Sequence, residues 1–150
     1  LAAIDRLAKL IADKVTVQAM LSPYHILFPG HDRIAGSDRY FGYRWLGERG
    51  FNEVYTMDYA MGSDTSMWFV SPDSSGAKFQ LFKQWAEDDG KRLNVPPIFK
   101  FEPGSSTYVE HPQYGRVIGG LVKGKLVGVV GYRPEKWEQK ASQWITGLGM

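Results

Sequence analysis

A chain of 150 residues with 43% hydrophobic and 23% charged side chains has the size and composition of one α+β-sized globular domain with its own core. Its 18 basic and 16 acidic side chains are scattered and sum to +2, which argues against nucleic acid as a partner, and no apolar run approaches the roughly 20 residues of a membrane-spanning helix. The absence of cysteine excludes disulfides, thiolate metal sites, a cysteine nucleophile and Cys-held iron–sulfur clusters.

The first segment sets Ile4, Leu7, Ala8, Ile11 and Val15 at helical spacing with Lys and Asp opposite, which predicts an amphipathic helix over about residues 2–15. Because the chain starts at Leu1 and Asp5 and Asp13 interrupt this segment, it does not read as a signal peptide, and the native N-terminus with any export signal is expected to be missing. The stretch Ser22–Gly30 has an apolar centre between Pro23 and Pro29-Gly30 and reads as a short strand entering a turn. After a polar loop, residues 53–61 and 65–71 flank Gly62-Ser63-Asp64 and read as a β-hairpin.

Ser71 as N-cap, Pro72 at the first helical position and Asp73 in the first turn then predict a helix carrying Phe79, Phe82, Trp85 and Ala86 and stopping at Gly90. Residues 91–97 read as a loop because Pro96 and Pro97 can continue neither helix nor ladder. Residues 98–102 and 106–111 read as strands joined across Pro103-Gly104, and residues 116–122 and 125–132 as a second hairpin around Lys123-Gly124. A last helix starts at Pro134 and keeps Trp137, Ala141, Trp144, Ile145 and Leu148 on one stripe.

Hairpin, proline and Trp-bearing helix thus occur twice, a faint repeat that any β-β-α unit would also produce. The expected fold class is α+β: a mostly antiparallel sheet with two or three amphipathic helices packed on it in two layers, in one domain spanning residues 1–150. Tyr55, Met57, Tyr59 and Met61 share one sheet face, yet the opposite faces of several strands are apolar as well. A sheet covered on one side only should alternate, so the second face is expected to meet the N-terminal helix, another segment, a homodimer or other protein partner, or a small apolar ligand.

His25, His31 and His111 have no metal-binding spacing, no G-x-S-x-G elbow or P-loop occurs, and no cofactor is called for. Gly119, Gly120, Gly128 and Gly131 are expected to let a helix or bulky ring approach the sheet. Charge is densest between Phe28 and Trp45. There Gly36-Ser37-Asp38 reads as a turn, with Arg33 and Arg39 neutralised by their neighbours Asp32 and Asp38. The competing use of the same loop is a ligand site built from Arg33, Ser37, Asp38, Arg39 and Tyr40, suited to an anionic group. A small hydrolase or lyase is the alternative, with His31 or His25 as base oriented by Asp32 or Asp38.

The order Pro29, Arg33, Gly36-Ser37, Asp38, Tyr40-Phe41, followed by a hairpin and a Ser-Pro helix, resembles a bacterial family of unknown function. Its exported members carry a Pro-x-x-x-Arg-x-x-Gly-Ser-[Asp/Glu]-x-Tyr turn motif, and the resemblance covers about residues 26–86. It implies an extracytoplasmic setting, periplasmic or secreted, a chain that is part of a longer protein, and no established catalytic residues. The expected function is therefore a non-enzymatic extracytoplasmic domain that binds a small ligand or a protein partner.

Overall fold

The structure, a computed structural model, describes residues 24–30, 32–48 and 50–150. The helix expected over residues 2–15 lies outside the described residues, as does His31. Seven strands form one antiparallel sheet: β1 (Arg39–Phe41), β2 (Val54–Met61), β3 (Asp64–Pro72), β4 (Lys91–Arg92), β5 (Ser106–His111), β6 (Gly115–Val122) and β7 (Lys125–Val130). Their order across the sheet is β1-β2-β3-β7-β6-β5-β4. Two meanders, β1-β2-β3 and β5-β6-β7, are therefore joined side by side where β3 pairs with β7, from Met67 opposite Val130 to Pro72 opposite Lys125.

The two helices are α1 (Ala77–Asp89) and α2 (Pro134–Leu148). The α+β class with helices on an antiparallel sheet is what the chain adopts, and the helices are divided between the faces. Trp137, Ala141, Trp144 and Ile145 of α2 join Met57, Tyr59, Trp68, Ile118, Val127 and Val129 in one core. Phe79, Phe82 and Ala86 of α1 join Phe69, Val109, Val117, Leu126 and Val130 in the other. Successive residues such as Trp68 and Phe69 belong to different cores, as a pleated strand requires. The sheet is thus the middle of three layers rather than one of the two expected, because each face is covered by its own helix, which explains strands apolar on both faces. The Met57 and Tyr59 face, which the sequence pattern leaves open to an apolar ligand, is filled by α2 and Phe28 of this chain.

Several local expectations are corrected. The strand expected near residues 22–30 is a 3-10 turn over His25–Leu27. Residues 98–102 form no strand, whereas β4 falls in the stretch read as a loop. The first helix starts at Ala77 rather than Pro72, because β3 continues through Ser71 and Pro72 to pair with Leu126 and Lys125. Ser71 spends its hydroxyl on the Glu53 carbonyl at 2.8 Å instead of capping. Asp73 does the capping from a distance: its carboxylate accepts the N–H groups of Lys78 and Phe79 at 3.1 and 2.8 Å. The repeated order of hairpin and helix does not extend to the packing, since α1 and α2 lie on opposite faces.

The strand glycines are sites of close approach. An added Cβ at Gly119 would lie 2.6 Å from Phe82 Cε1, and one at Gly120 would lie 2.6 Å from Phe101 Cδ1. Phe82 is fully buried against Phe69, Phe51 and Trp45, so its ring has little room to retreat. Gly119→Ala is therefore expected to lower folding stability by about 1–3 kcal/mol through overpacking. A urea unfolding curve checks this, and an unchanged midpoint would contradict the packing described.

Candidate functional site

The charged loop is an edge strand interrupted by a bulge. Ala60 N–H donates to Asp32 O at 2.9 Å, Arg33 bridges Tyr59, and Ile34 N–H donates to Asp58 O at 2.8 Å. Pairing then resumes with Arg39, Tyr40 and Phe41 opposite Thr56, Tyr55 and Val54. Both halves of the segment thus run along β2, and Ala35-Gly36-Ser37-Asp38 loops out between them. Gly36 supplies the positive φ of +75°. Ser37 closes the bulge, its hydroxyl donating to Ile34 O at 2.6 Å and accepting Asp58 N–H at 3.1 Å.

The expected neutralisation of Arg33 by Asp32 and of Arg39 by Asp38 does not occur among the described residues. Arg39 instead pairs across the strand with Asp58 at 3.0 Å, and Asp32 pairs with Lys140 of α2 at 3.2 Å. The partners come from neighbouring elements: Arg39 of β1 reaches Asp58 on the adjoining strand, and Asp32, in a left-handed turn at φ +65°, meets Lys140 of the helix above. Strand alternation divides the five expected ligand-binding residues. Arg33 and Tyr40, opposite Tyr59 and Tyr55, share the α2 face, whereas Arg39, opposite Thr56, lies on the other. Ser37 is occupied by the bulge, and Asp38 is exposed. Tyr40 packs at a tilt against Tyr55, on which Tyr24 stacks, with centroids 5.0 and 4.7 Å apart. Burial and neighbouring Tyr40 push the Tyr55 phenol up.

The two described histidines, His25 and His111, make backbone contacts. His25 Nε2 lies 3.1 Å from the Arg39 carbonyl, and its ring meets Tyr55 edge to face. His111 is buried, stacks on Trp85 and accepts the N–H of Gln113 on Nδ1 at 3.1 Å. An accepting Nδ1 leaves the proton of the neutral ring on Nε2. No group of His, Asp and Glu able to hold a metal ion occurs among the described residues.

An open concavity lies elsewhere, at the sheet end where β7 leaves for α2. The β2–β3 tip with Ser63, Asp64 and Thr65 and the β5–β6 tip with Tyr114 and Gly115 project on either side of Gly131 and Tyr132. Together with Arg133, Pro134 and Glu135 they enclose a cleft of about 560 Å³. Gly131 and Tyr132 fix its floor by donating both backbone N–H groups to Arg116 O, at 2.9 and 2.8 Å.

Its charges fall into two sets. On the β3 side, Asp64 is held by Lys136 and by Arg133 at 3.4 Å, and Arg133 also approaches Glu135 at 3.9 Å. Hydrogen bonding from Lys136 keeps the Asp64 carboxyl below the usual carboxylate range. On the β5–β6 side, Glu110 and Arg116 sit directly opposite each other in register. They form no ion pair, and Arg116 donates instead to the Tyr108 hydroxyl at 3.2 Å, which also raises the guanidinium pKa. Beneath them the Tyr132 hydroxyl is buried and without a hydrogen-bond partner among the described residues, and burial pushes its pKa up. None of these cleft residues stands out in the sequence; only the Gly131-Tyr132-Arg133-Pro134 run between strand and helix marks the place.

Two outcomes follow. Ser37→Ala leaves Asp58 N–H without its side-chain acceptor and should cost about 1–3 kcal/mol, read by chemical denaturation, whereas Asp38→Ala should leave stability nearly unchanged. A folded carboxylate held below its unfolded value stabilises above the unfolded range, and that stability is lost as pH falls through the lowered value. Asp64→Asn should therefore flatten the acid side of a stability-versus-pH profile; an unaltered slope would contradict the pairing with Lys136 and Arg133. No protein-family model, no curated protein and no solved structure matches the chain.

Proposed function

We propose that the chain is a non-enzymatic binding domain whose small-molecule ligand occupies the cleft between the β2–β3 and β5–β6 tips. The observation that carries this reading is an open cleft of about 560 Å³ whose walls present Glu110 and Arg116 in register and unpaired with each other. Ligand sites are concave and fix orientation with a few placed polar groups, and this one is bounded by elements whose backbones are tied to the sheet. Of the two described histidines, His25 Nε2 faces a backbone carbonyl and His111 Nδ1 accepts a backbone N–H, which favours binding over a general base built on either of them. The loop of Arg33, Ser37, Asp38, Arg39 and Tyr40 is assigned to closing the sheet edge, which its bulge and short β1 do in the manner of protected edge strands. An extracytoplasmic setting rests on the Gly36-Ser37 motif.

Titration of isotopically labelled protein with a mixture of amino acids, dicarboxylates and sugar phosphates tests the site. Saturable amide shifts are expected at Asp64, Gly115, Arg116 and Gly131, and Arg116→Glu should abolish them. Shifts confined to other surfaces, or none, would contradict the reading.

A further inference from the structure

Building on the proposed binding cleft, we propose that it takes a small zwitterion of the α-amino acid class, with the ligand carboxylate on Arg116 and its ammonium on Glu110. Residues directly opposite on antiparallel strands have Cβ atoms about 4.5–5.5 Å apart, and opposite charges there ordinarily pair with each other. Glu110 and Arg116 occupy such positions and do not. The Tyr108 hydroxyl, two residues along β5 on the same face, takes Nη1 of Arg116 and holds the guanidinium away from Glu110. Tyr108 itself is anchored edge to face against Tyr132 and is buried, so this diversion is built into the core. The remaining guanidinium N–H groups form the planar fork that carboxylates match, and Arg116 and Glu110 are both exposed beside the cleft that they line.

The other charges of the cleft satisfy one another. Asp64 is neutralised by Lys136 and Arg133, and Arg133 also meets Glu135. That leaves Glu110 and Arg116, opposed in register without an ion pair, to be completed from the cleft, with Lys91 of β4 on the far side of Glu110. A lone anion would bind Arg116 but would meet Glu110 and Glu135, and a lone cation would meet Arg116 and Arg133; a molecule with both charges on groups joined through one carbon satisfies the two sides together.

The test is an amide-shift titration with glycine, and separately with acetate and with methylammonium, at millimolar concentration and low ionic strength. Glycine is expected to shift Arg116 and Gly131 saturably and at least about tenfold more tightly than either half-ligand, which is about 1.4 kcal/mol. Arg116→Gln should abolish this response. Tyr108→Phe should weaken it, because the released guanidinium closes on Glu110, and an unchanged fingerprint elsewhere shows that the variant is folded. Acetate binding as tightly as glycine, or glycine binding unaffected by Arg116→Gln, would overturn the zwitterion assignment. Shifts at these amides with sugar phosphates or dicarboxylates but not glycine would overturn the ligand class while leaving the cleft as the binding site. Silence of the cleft toward every probe would overturn both.

Discussion

Everything in this fold depends on the pairing of β3 with β7. Six successive residues of β3, Met67 to Pro72, face Val130 to Lys125, and this seam alone turns two three-stranded meanders into one sheet. Trp68, Phe69 and Val70 on one side of it and Val127 and Val129 on the other are fully buried. A fully buried large apolar side chain contributes about 1.5–3 kcal/mol, so burial reinforces the pairing along the seam. It sets the positions of both helices, since α1 follows the end of β3 and α2 follows the end of β7, at opposite ends of the sheet.

That arrangement decides where binding can occur. With a helix on each face, the sheet surfaces are spent on the chain's own core. The edge beside β1 is bulged and strapped, by Ser37 to Asp58, by Arg39 to Asp58 and by Asp32 to Lys140. The proposed ligand site uses the end of the sheet where β7 stops short of the hairpin tips on both sides. The cleft exists because Gly131 turns the chain, at φ +79°, out of the sheet and into α2 between those tips.

Apolar and β-branched runs on either side of Gly62-Ser63-Asp64 and of Lys123-Gly124 made the two hairpins legible, because a short run ending in turn residues is a local signal. The Pro134 helix was legible for the same reason. The start of α1 was not: Ser71-Pro72-Asp73 has the composition of a cap, but whether Ser71 stays in the ladder is decided by Leu126 on a distant strand. The loop was half legible. Gly36-Ser37 is a turn with a backbone reason, as its composition implies, yet the ion pairs of Arg39 and Asp32 involve Asp58 and Lys140, 19 and 108 positions away. The cleft was not legible at all, since residues near 64, 110–116 and 131–135 meet only when the seam forms.

Native-state hydrogen exchange measures that dependence most directly. If the β3–β7 seam holds the two meanders together, the amides of Met67, Phe69, Gly128 and Val130 should exchange at the rate of global unfolding, with the slowest amides of β2 and β6 exchanging in the same event. Amides of the bulged segment from Ile34 to Phe41 should exchange earlier. Exchange of the seam amides ahead of the rest of β2 and β6, or unfolding of the two meanders as separate units, would contradict the account.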